Sequence, residues 1–278
     1  MTETGRRGEV ETDASVTGER NPPEALEAVD THCHLFLIEE DPAAVVEGAR
    51  AEGVGTLICV GIDPESSVRS LELAESFRGV FATAGMHPHT ASDLDGTAGG
   101  AIEELLASPR VVGVGETGLD FYRMRSPRED QERAFRAHIG LSRETGKPLV
   151  VHVRDAWVEV MSILEEERAE HVVLHCFTGD ASIAREAAAR GYTLSFSGNV
   201  TYPKNASIRD AAAAVDADRF VVETDSPFLA PQRIRGRDNR PVGVIDVIEQ
   251  LAEARGESVE NVHRATSENA RAAFPGLR

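Results

Sequence analysis

The stretch EDQERAFRAHIGLSRETGKPLVVHVR, residues 129–154, contains one complete unit of the predicted fold. Residues 129–146 place apolar side chains at helical spacing, and Gly146 followed by Pro148 is a typical helix stop. The run PLVVH that follows is short, apolar and β-branched, which indicates a buried strand. A helix that leads into such a strand favours an α/β fold.

The same alternation of strand-like runs and helical segments extends over the chain of 278 residues. Strands that alternate with helices form right-handed βαβ units around a parallel sheet. Eight such units in about 250 residues predict a (β/α)8 TIM barrel, and a doubly wound open sheet is the alternative. The strand-like runs are 25–29, 55–60, 80–84, 111–115, 148–152, 171–175, 192–196 and 219–223.

The N-terminal segment differs in composition from the rest of the chain. Residues 1–24 are rich in Glu, Thr, Gly and Arg, so we expect a disordered acidic tail, with a single barrel domain over 25–278. We expect neither a secretory signal nor a membrane span, because no apolar run is long enough. Three cysteines without a CxxC motif favour a reducing compartment, which predicts the cytoplasm.

The chain is strongly acidic, with a net charge of −18. Seven acidic and three basic residues in 1–28 contribute −4 of this charge, which leaves −14 on the remainder. Such a charge opposes the binding of polyanions unless basic residues cluster locally. Arginines do cluster after the fourth run and after the eighth, and they are Arg123, Arg125, Arg128, Arg233, Arg235, Arg237 and Arg240.

Chemically reactive side chains lie at or after the ends of six of the strand-like runs. Active sites of (β/α)8 barrels are built at the C-terminal ends of the strands, so these side chains are candidates for one site. They are His32 and His34, His87 and His89, Glu116 and Asp120, His152 and Arg154, His175, and Glu223 and Asp225.

Each of these residues alone has an ordinary structural explanation. Strand-end histidines are commonly packed or hydrogen-bonded, Glu116 could cap a helix, and Asp225 before Ser-Pro could start a turn. The coincidence is more informative, because four histidines, one Glu and one Asp from five strands would point into one barrel mouth. Imidazole and carboxylate groups together bind divalent metals, and six ligands suit two ions better than one. His32 and His34 would supply part of this metal site.

The other histidines have structural interpretations. His138 lies within a helical segment, His171 begins a strand, and His263 lies in a late helix. Cys33 should point away from its two histidine neighbours, and Cys176 would become a ligand only if two successive side chains turned inward.

Six motifs, in order, resemble the TatD family of metal-dependent deoxyribonucleases, a branch of the amidohydrolase superfamily. They are DTHCHL, GMHPH, GETGLDFYR, VVHVRDA, HCFTGD and ETDSPFLAP, and the resemblance extends from about Val29 to Phe274. It implies that His32, His34 and Asp225 hold one ion, that Glu116 bridges two ions, and that His152 and His175 hold the second. It also implies that His87 meets a substrate phosphate.

Two departures from the family pattern stand out. Arg240 replaces an acid in the run IRGRDNRPVGV, which leaves the contacts of that loop open, and the family lacks a long acidic tail. Neither departure involves the expected metal ligands. Neither Lys147 nor Lys204 ends a suitable strand, so Glu116 takes the bridging role that a carboxylated lysine has elsewhere in the superfamily.

The sequence therefore predicts a hydrolase that uses two divalent ions, Mg²⁺ or Mn²⁺ with Zn²⁺ as a further candidate, and DNA as substrate. Single strands or strand ends are the expected form, Asp225 and Glu116 the catalytic residues, and His87, Arg123 and Arg154 the substrate contacts. We expect no obligate protein partner. The alternatives are a hydrolase of a small amide, lactone or phosphoester, and a non-catalytic binding barrel.

Overall fold

The structure is a computed structural model that describes residues 1–2 and 27–277. The expected tail, residues 1–24, lies outside the described residues apart from its first two positions. In the described part, no helix is both long and apolar enough to cross a membrane.

Eight parallel strands form one sheet in the order β1 to β8. The sheet closes into a barrel, because Cys33 bridges to Ser226 and the His34 amide donates to the Ser226 carbonyl at 2.7 Å. The predicted (β/α)8 barrel is confirmed, and the open-sheet alternative is wrong. The strands are β1 Ala28–Cys33, β2 Val54–Val60, β3 Val80–Ala84, β4 Val111–Asp120, β5 Leu149–Arg154, β6 Val172–Leu174, β7 Thr193–Phe196 and β8 Phe220–Val222.

Helices follow the strands and cover the outside of the barrel. The helix predicted over 129–146 is α4, which ends where Gly146 adopts a left-handed conformation with φ of 66°. The helices are α1 Pro42–Ala51, α2 Pro64–Ser76, α3 Gly96–Leu106, α4 Arg128–Thr145, α5 Trp157–Glu166, α6 Ala181–Ala189, α7 Ala206–Ala213, α8 Val244–Arg255 and α9 Val259–Ala273.

Two strands differ from their predicted ranges by three or more residues at one end or at both. β1 begins later and continues to Cys33, so His32 lies within the strand rather than after it. β4 continues past its expected end at Gly115 to Asp120. Glycine usually weakens a strand, but Gly118 has φ of +133°, and a Cβ there would lie 2.1 Å from the His152 carbonyl oxygen. The glycine allows β4 and β5 to approach closely and extends the pairing.

The barrel interior is apolar at one end and polar at the other. One cluster of buried residues comes from β1–β6 and β8, with Val29, Ile58 and Phe81 among its members, and it also includes Phe274 and Leu277 near the C-terminus. This layer fills the lower barrel, so the inward-facing polar residues further along the strands converge above it, at the C-terminal ends.

Candidate metal centre

His32 and His34 lie on one face at the end of β1, as their spacing predicts. Their Nε2 atoms are 3.4 Å apart, and the two residues are 1% and 4% exposed. Cys33, between them, points away and lies 3.4 Å from the Ile58 carbonyl oxygen. Because the two rings share a face of β1 and are buried, their Nε2 atoms lie close together at the barrel mouth.

Glu116 lies between two groups of histidines. Its Oε2 atom is 3.3 Å from His32 Nε2 and 3.9 Å from His34 Nε2. Its Oε1 atom is 2.8 Å from His152 Nδ1 and 3.4 Å from His175 Nε2. One carboxylate oxygen therefore faces each group, which is the arrangement that a carboxylate bridging two cations needs.

Glycine precedes this carboxylate for a steric reason. Gly115 has φ of +136°, and a Cβ there would lie 2.5 Å from the Val150 carbonyl oxygen. Only glycine fits at this point without moving the backbone, so the sequence Gly-Glu places Glu116 against β5.

Asp225 approaches His32 and His34 from the far side of the barrel seam. Its Oδ1 atom is 3.4 Å from His34 Nε2 and 3.9 Å from His32 Nε2. Its amide donates to the His32 carbonyl at 2.8 Å, so the backbone of β1 holds it in place. The structure thus brings together all six residues that the sequence singled out as ligands, and it contains groups such as His32, His34 and Glu116 that fit a metal ion.

In His34 and His175, the group that faces Nδ1 determines which ring nitrogen has a free lone pair. His34 Nδ1 lies 2.8 Å from the Val60 carbonyl oxygen, and His175 Nδ1 lies 2.8 Å from Glu223 Oε1. Both partners are acceptors, so in a neutral ring Nδ1 carries the proton and Nε2 presents its lone pair to the cluster. This donor set fits a divalent metal ion.

His87 has the opposite pattern. The amide of His89 donates to its Nδ1 atom at 3.0 Å, and its Nε2 atom lies 3.4 Å from Glu116 Oε1. Burial lowers the pKa of His87 to about 4, so the ring is neutral near pH 7 and carries its proton on Nε2. His87 Nε2 therefore directs a hydrogen-bond donor towards the cluster of histidines and carboxylates.

The charges of the centre favour a bound cation. Burial raises the pKa of Glu116, but the nearby His175 and His87 outweigh it and hold that pKa well below its usual range. Burial also lowers the pKa of His175, but the carboxylates of Glu223 and Glu116 raise it to about 10. Ionised carboxylates so deeply buried need positive charge nearby; a protonated His175 supplies it without a metal, and a divalent ion that displaces the Nε2 proton would supply it in its place.

Three residues around the centre were not assigned as ligands from the sequence, since Asp120 and Glu223 were only candidates for the site and Asp30 was not singled out. Asp120 Oδ2 lies 2.8 Å from His89 Nε2 and 3.5 Å from His152 Nε2. Asp30 and Glu223 are buried close to the proposed ligands, and Glu223 Oε1 lies 2.8 Å from His175 Nδ1. The alternation of β4 offered one signal, because Glu116 and Asp120 are four residues apart and share a face.

Two arginines of the loop after β8 are paired with acids, so fewer guanidinium groups remain to form a positively charged rim around the barrel mouth. Arg233 forms a bidentate pair with Asp246, and Arg240 forms one with Glu40, with N–O distances of 2.8 to 3.0 Å. Arg240, the departure from the family pattern, therefore ties its loop to the segment before α1. Arg123, Arg125 and Arg237 make no ion pair within the described ranges.

The comparisons with known proteins agree with this geometry. The family model described as TatD related DNase matches residues 29–275. A Bacillus subtilis protein described as an uncharacterized metal-dependent hydrolase, YabD, is 39% identical and is matched over 88% of this chain and 98% of its own length. A 3'-5' ssDNA/RNA exonuclease TatD from Cronobacter sakazakii is 33% identical, over 85% of this chain and 92% of its own.

A solved structure supports the same assignment. YjjV, a TatD homologue from Escherichia coli K12, superposes with a TM-score of 0.86 at 26% identity, over 90% of this chain and 99% of its own. The family match extends over nearly the whole barrel and includes every residue of the histidine and carboxylate cluster. The chain belongs to the family of TatD-related DNases and is a metal-dependent hydrolase.

Proposed function

We propose that this hydrolase is a nuclease that removes nucleotides from the ends of single-stranded DNA with two divalent metal ions. The supporting observation is the position of Glu116, whose two carboxylate oxygens face different groups of histidines. The names of the exonuclease relatives suggest the direction, from 3' to 5', and suggest RNA as a second substrate.

Within this proposal, the cluster provides two sets of ligands. His32, His34 and Asp225 would hold one ion, His152 and His175 the other, and Glu116 would lie between them. Two divalent ions, Mg²⁺ or Mn²⁺ with Zn²⁺ as a further candidate, would supply a water nucleophile at neutral pH and neutralise phosphate charge. This division follows the side on which each ring nitrogen approaches Glu116.

Two residues act on the proton and on the phosphate. Asp225 has the most exposed carboxylate of the ligand set, at 16%, so its free oxygen can take the proton of the attacking water. His87 directs an Nε2 proton into the cluster, so it donates to a phosphate oxygen and does not bind an ion. Arg123 and Arg154, at the ends of β4 and β5, lie where further phosphates would pass.

We further propose that residues 25–278 form the hydrolase domain and that residues 1–24 lie outside it. All three cysteines are free, which favours a reducing compartment, and we propose the cytoplasm as the place of action. No obligate protein partner is proposed.

The test combines metal analysis with end-labelled DNA. The protein, loaded in turn with Mg²⁺, Mn²⁺ or Zn²⁺, is incubated with single strands labelled at the 5' or 3' end and with a blunt duplex. We expect stepwise shortening of the single strands from the 3' end. Asp225→Asn should retain metal and fold but lose about 10²-fold or more in rate.

A remote histidine provides the matched control. His171 is exposed and has φ of 52°, which Asn tolerates, so His171→Asn should leave the rate unchanged. Hydrolysis of small esters or amides without any attack on DNA would support the small-substrate alternative. A protein that binds no metal and hydrolyses nothing would support the binding barrel.

A further inference from the structure

Two aromatic side chains at the barrel mouth are unusually exposed. Tyr122 is 62% exposed and Phe228 is 52% exposed, whereas Phe135, Phe177, Phe196, Phe220 and Phe274 are fully buried. Tyr122 follows β4, and Phe228 follows Asp225 in the loop after β8. Single exposed apolar residues are common, but Phe228 lies against the proposed ligand His34, and Tyr122 lies beside Asp120, which contacts the proposed ligand His152.

The backbone of its loop holds Phe228 beside the cluster. Its amide donates to the Asp225 carbonyl at 2.8 Å, and its ring centroid lies 6.1 Å from that of His34. The buried Asn239 fixes the same loop, because its amide donates to the Pro227 carbonyl at 2.9 Å and its side chain to Thr224 at 3.0 Å. The backbone therefore fixes the position of the Phe228 ring, which is exposed to solvent and lies next to the proposed ligand His34.

Tyr122 is held in a comparable way on the other side. Its amide donates to Asp120 Oδ1 at 3.0 Å, and Asp120 in turn lies against His89 and His152. The Arg154 guanidinium lies 4.0 Å from the centre of the Tyr122 ring. A guanidinium stacked there covers one face of the ring, so the exposure of the side chain comes largely from the opposite face.

The two rings lie on opposite sides of the metal ligands. In a barrel with the strand order β1 to β8, the β8–β1 seam is half a turn away from the β4–β5 pair. Phe228 belongs to the seam and Tyr122 to that pair, with the ligands between them. Two separated rings do not form one apolar patch for a protein partner, but each can receive one planar group.

We propose that Phe228 and Tyr122 are platforms on which the bases flanking the scissile phosphate stack. This proposal rests on the proposed nuclease function and adds how the substrate is recognised. Every base has a flat π-face, so such stacking tolerates any sequence, in DNA and in RNA. A paired base inside a duplex has both faces covered by its neighbours, so the platforms select unpaired ends.

The experiment compares strands with and without bases at the reacting end. Short single strands carry either normal nucleotides or abasic sites at the terminal positions, and KM and kcat are measured for the metal-loaded enzyme. We expect Phe228→Leu and Tyr122→Leu each to raise KM about tenfold on the normal strand, with kcat changed less than about twofold. Phe228→Tyr and Tyr122→Phe keep a ring and should remain close to the original enzyme.

A second readout reports stacking directly. The fluorescence of 2-aminopurine falls when the base stacks, so a strand with this base at its terminal positions should dim on binding the original enzyme. The fluorescence of the same strand should not fall when it binds to the leucine variants. Equal KM for base-bearing and abasic strands, or unchanged KM and quenching in the leucine variants, would overturn the platforms while DNA cleavage still supports the nuclease. An original enzyme that neither cleaves nor binds these strands would overturn both.

Discussion

At the scale of single residues, the partner of one imidazole nitrogen decides what the other nitrogen can do. His34 and His175 face acceptors through Nδ1, whereas His87 accepts a hydrogen bond there from the His89 amide. The first two rings can offer a lone pair to a cation, and the third offers a proton to an anion. Two rings with one pattern of partners and a third with the opposite pattern therefore predict two different roles.

This difference predicts different consequences for two similar substitutions. His175→Leu should reduce the metal content from two ions per chain to about one. His87→Leu should retain both ions but raise KM about 10- to 100-fold, because the substrate phosphate loses a charge-assisted hydrogen bond. Metal analysis of the purified proteins, together with steady-state kinetics, measures both effects. Loss of an ion from His87→Leu would show that His87 is a ligand.

His138 predicts a pH dependence of stability that is independent of the metal centre. Its Nε2 atom accepts from the Met86 amide at 3.0 Å, and its Nδ1 atom donates to the Ala134 carbonyl at 2.7 Å. Burial lowers its pKa from 6.5 to about 4, so the folded protein keeps the ring neutral while the unfolded chain protonates it. The stabilising effect is therefore complete above about pH 6.5 and is lost as the pH falls towards 4.

The measurement is urea unfolding of the original protein and of His138→Gln at pH 7.5 and pH 5. From pH 7.5 to pH 5, the free energy of unfolding of the original protein should fall by about 2 kcal/mol more than that of the variant. Other titrating groups contribute equally to both proteins, so the difference isolates His138. An equal loss in both, or an NMR titration that shows a charged His138 ring at pH 5, would contradict the assignment.

Much of the residue-level site was predictable from alternation along the strands. The spacing of His32 and His34 placed both rings on one face, and the strand ends identified Glu116 and Asp225. The proton positions of His34 and His175 were not predictable, because they depend on Val60 in β2 and on Glu223 after β8, which lie far away in sequence. The ion pair of Arg240 was also hidden, since Glu40 lies far away in sequence.

At the scale of elements, the seam between β8 and β1 is held mainly by side chains. Asp30 Oδ1 accepts from the Thr224 amide at 2.9 Å, and Asp30 Oδ2 accepts from the Thr224 hydroxyl at 2.6 Å. Thr31 adds a bond from its hydroxyl to the Val222 carbonyl at 2.9 Å. Asp30 is fully buried, and this burial raises the pKa of its carboxyl to about 8.

The hydrogen bonds of Asp30 across the seam predict that Asp30→Ala destabilises the protein more than Asp30→Asn does. Asp30→Ala leaves the buried Thr224 amide without an acceptor and should reduce the free energy of unfolding by about 3 kcal/mol. Asp30→Asn keeps an acceptor of the same shape and should cost about 1 kcal/mol. Urea unfolding measures both. If the two variants were equally stable, the hydrogen bonds of Asp30 would not be what closes the barrel.

Element boundaries were predictable only where local signals agreed with the tertiary structure. The Gly146 stop of α4 is such a case. β4 continues past Gly115 because Gly118 permits a close approach to β5, a tertiary contact that local propensity cannot reveal.

At the scale of the whole molecule, net charge constrains how the protein can bind DNA. The chain carries −18, and several of the loop arginines are already paired with acids. Binding must then depend on the metal ions and on few phosphate contacts, with Arg123 and Arg154 as candidates. A double-logarithmic plot of affinity against salt should have a slope of about −2 to −3 for three or four phosphates on a single strand.

This slope is measured with metal-loaded Asp225→Asn protein and a short single strand, so that cleavage does not interfere. Arg123→Ala should weaken the binding of all sequences about equally and make the slope less steep by about one phosphate, because phosphate contacts carry no base information. A much steeper slope would indicate a broad basic surface, which the distribution of charge contradicts.

The central claim is a pair of metal ions bridged by Glu116, and anomalous X-ray scattering from crystals of the Mn²⁺-loaded protein tests it most directly. Two peaks should appear about 3.5–4 Å apart, one beside His32, His34 and Asp225 and the other beside His152 and His175. Glu116→Ala should weaken or abolish at least one of them. A single peak, or peaks that lie away from Glu116 in the original protein, would contradict the account.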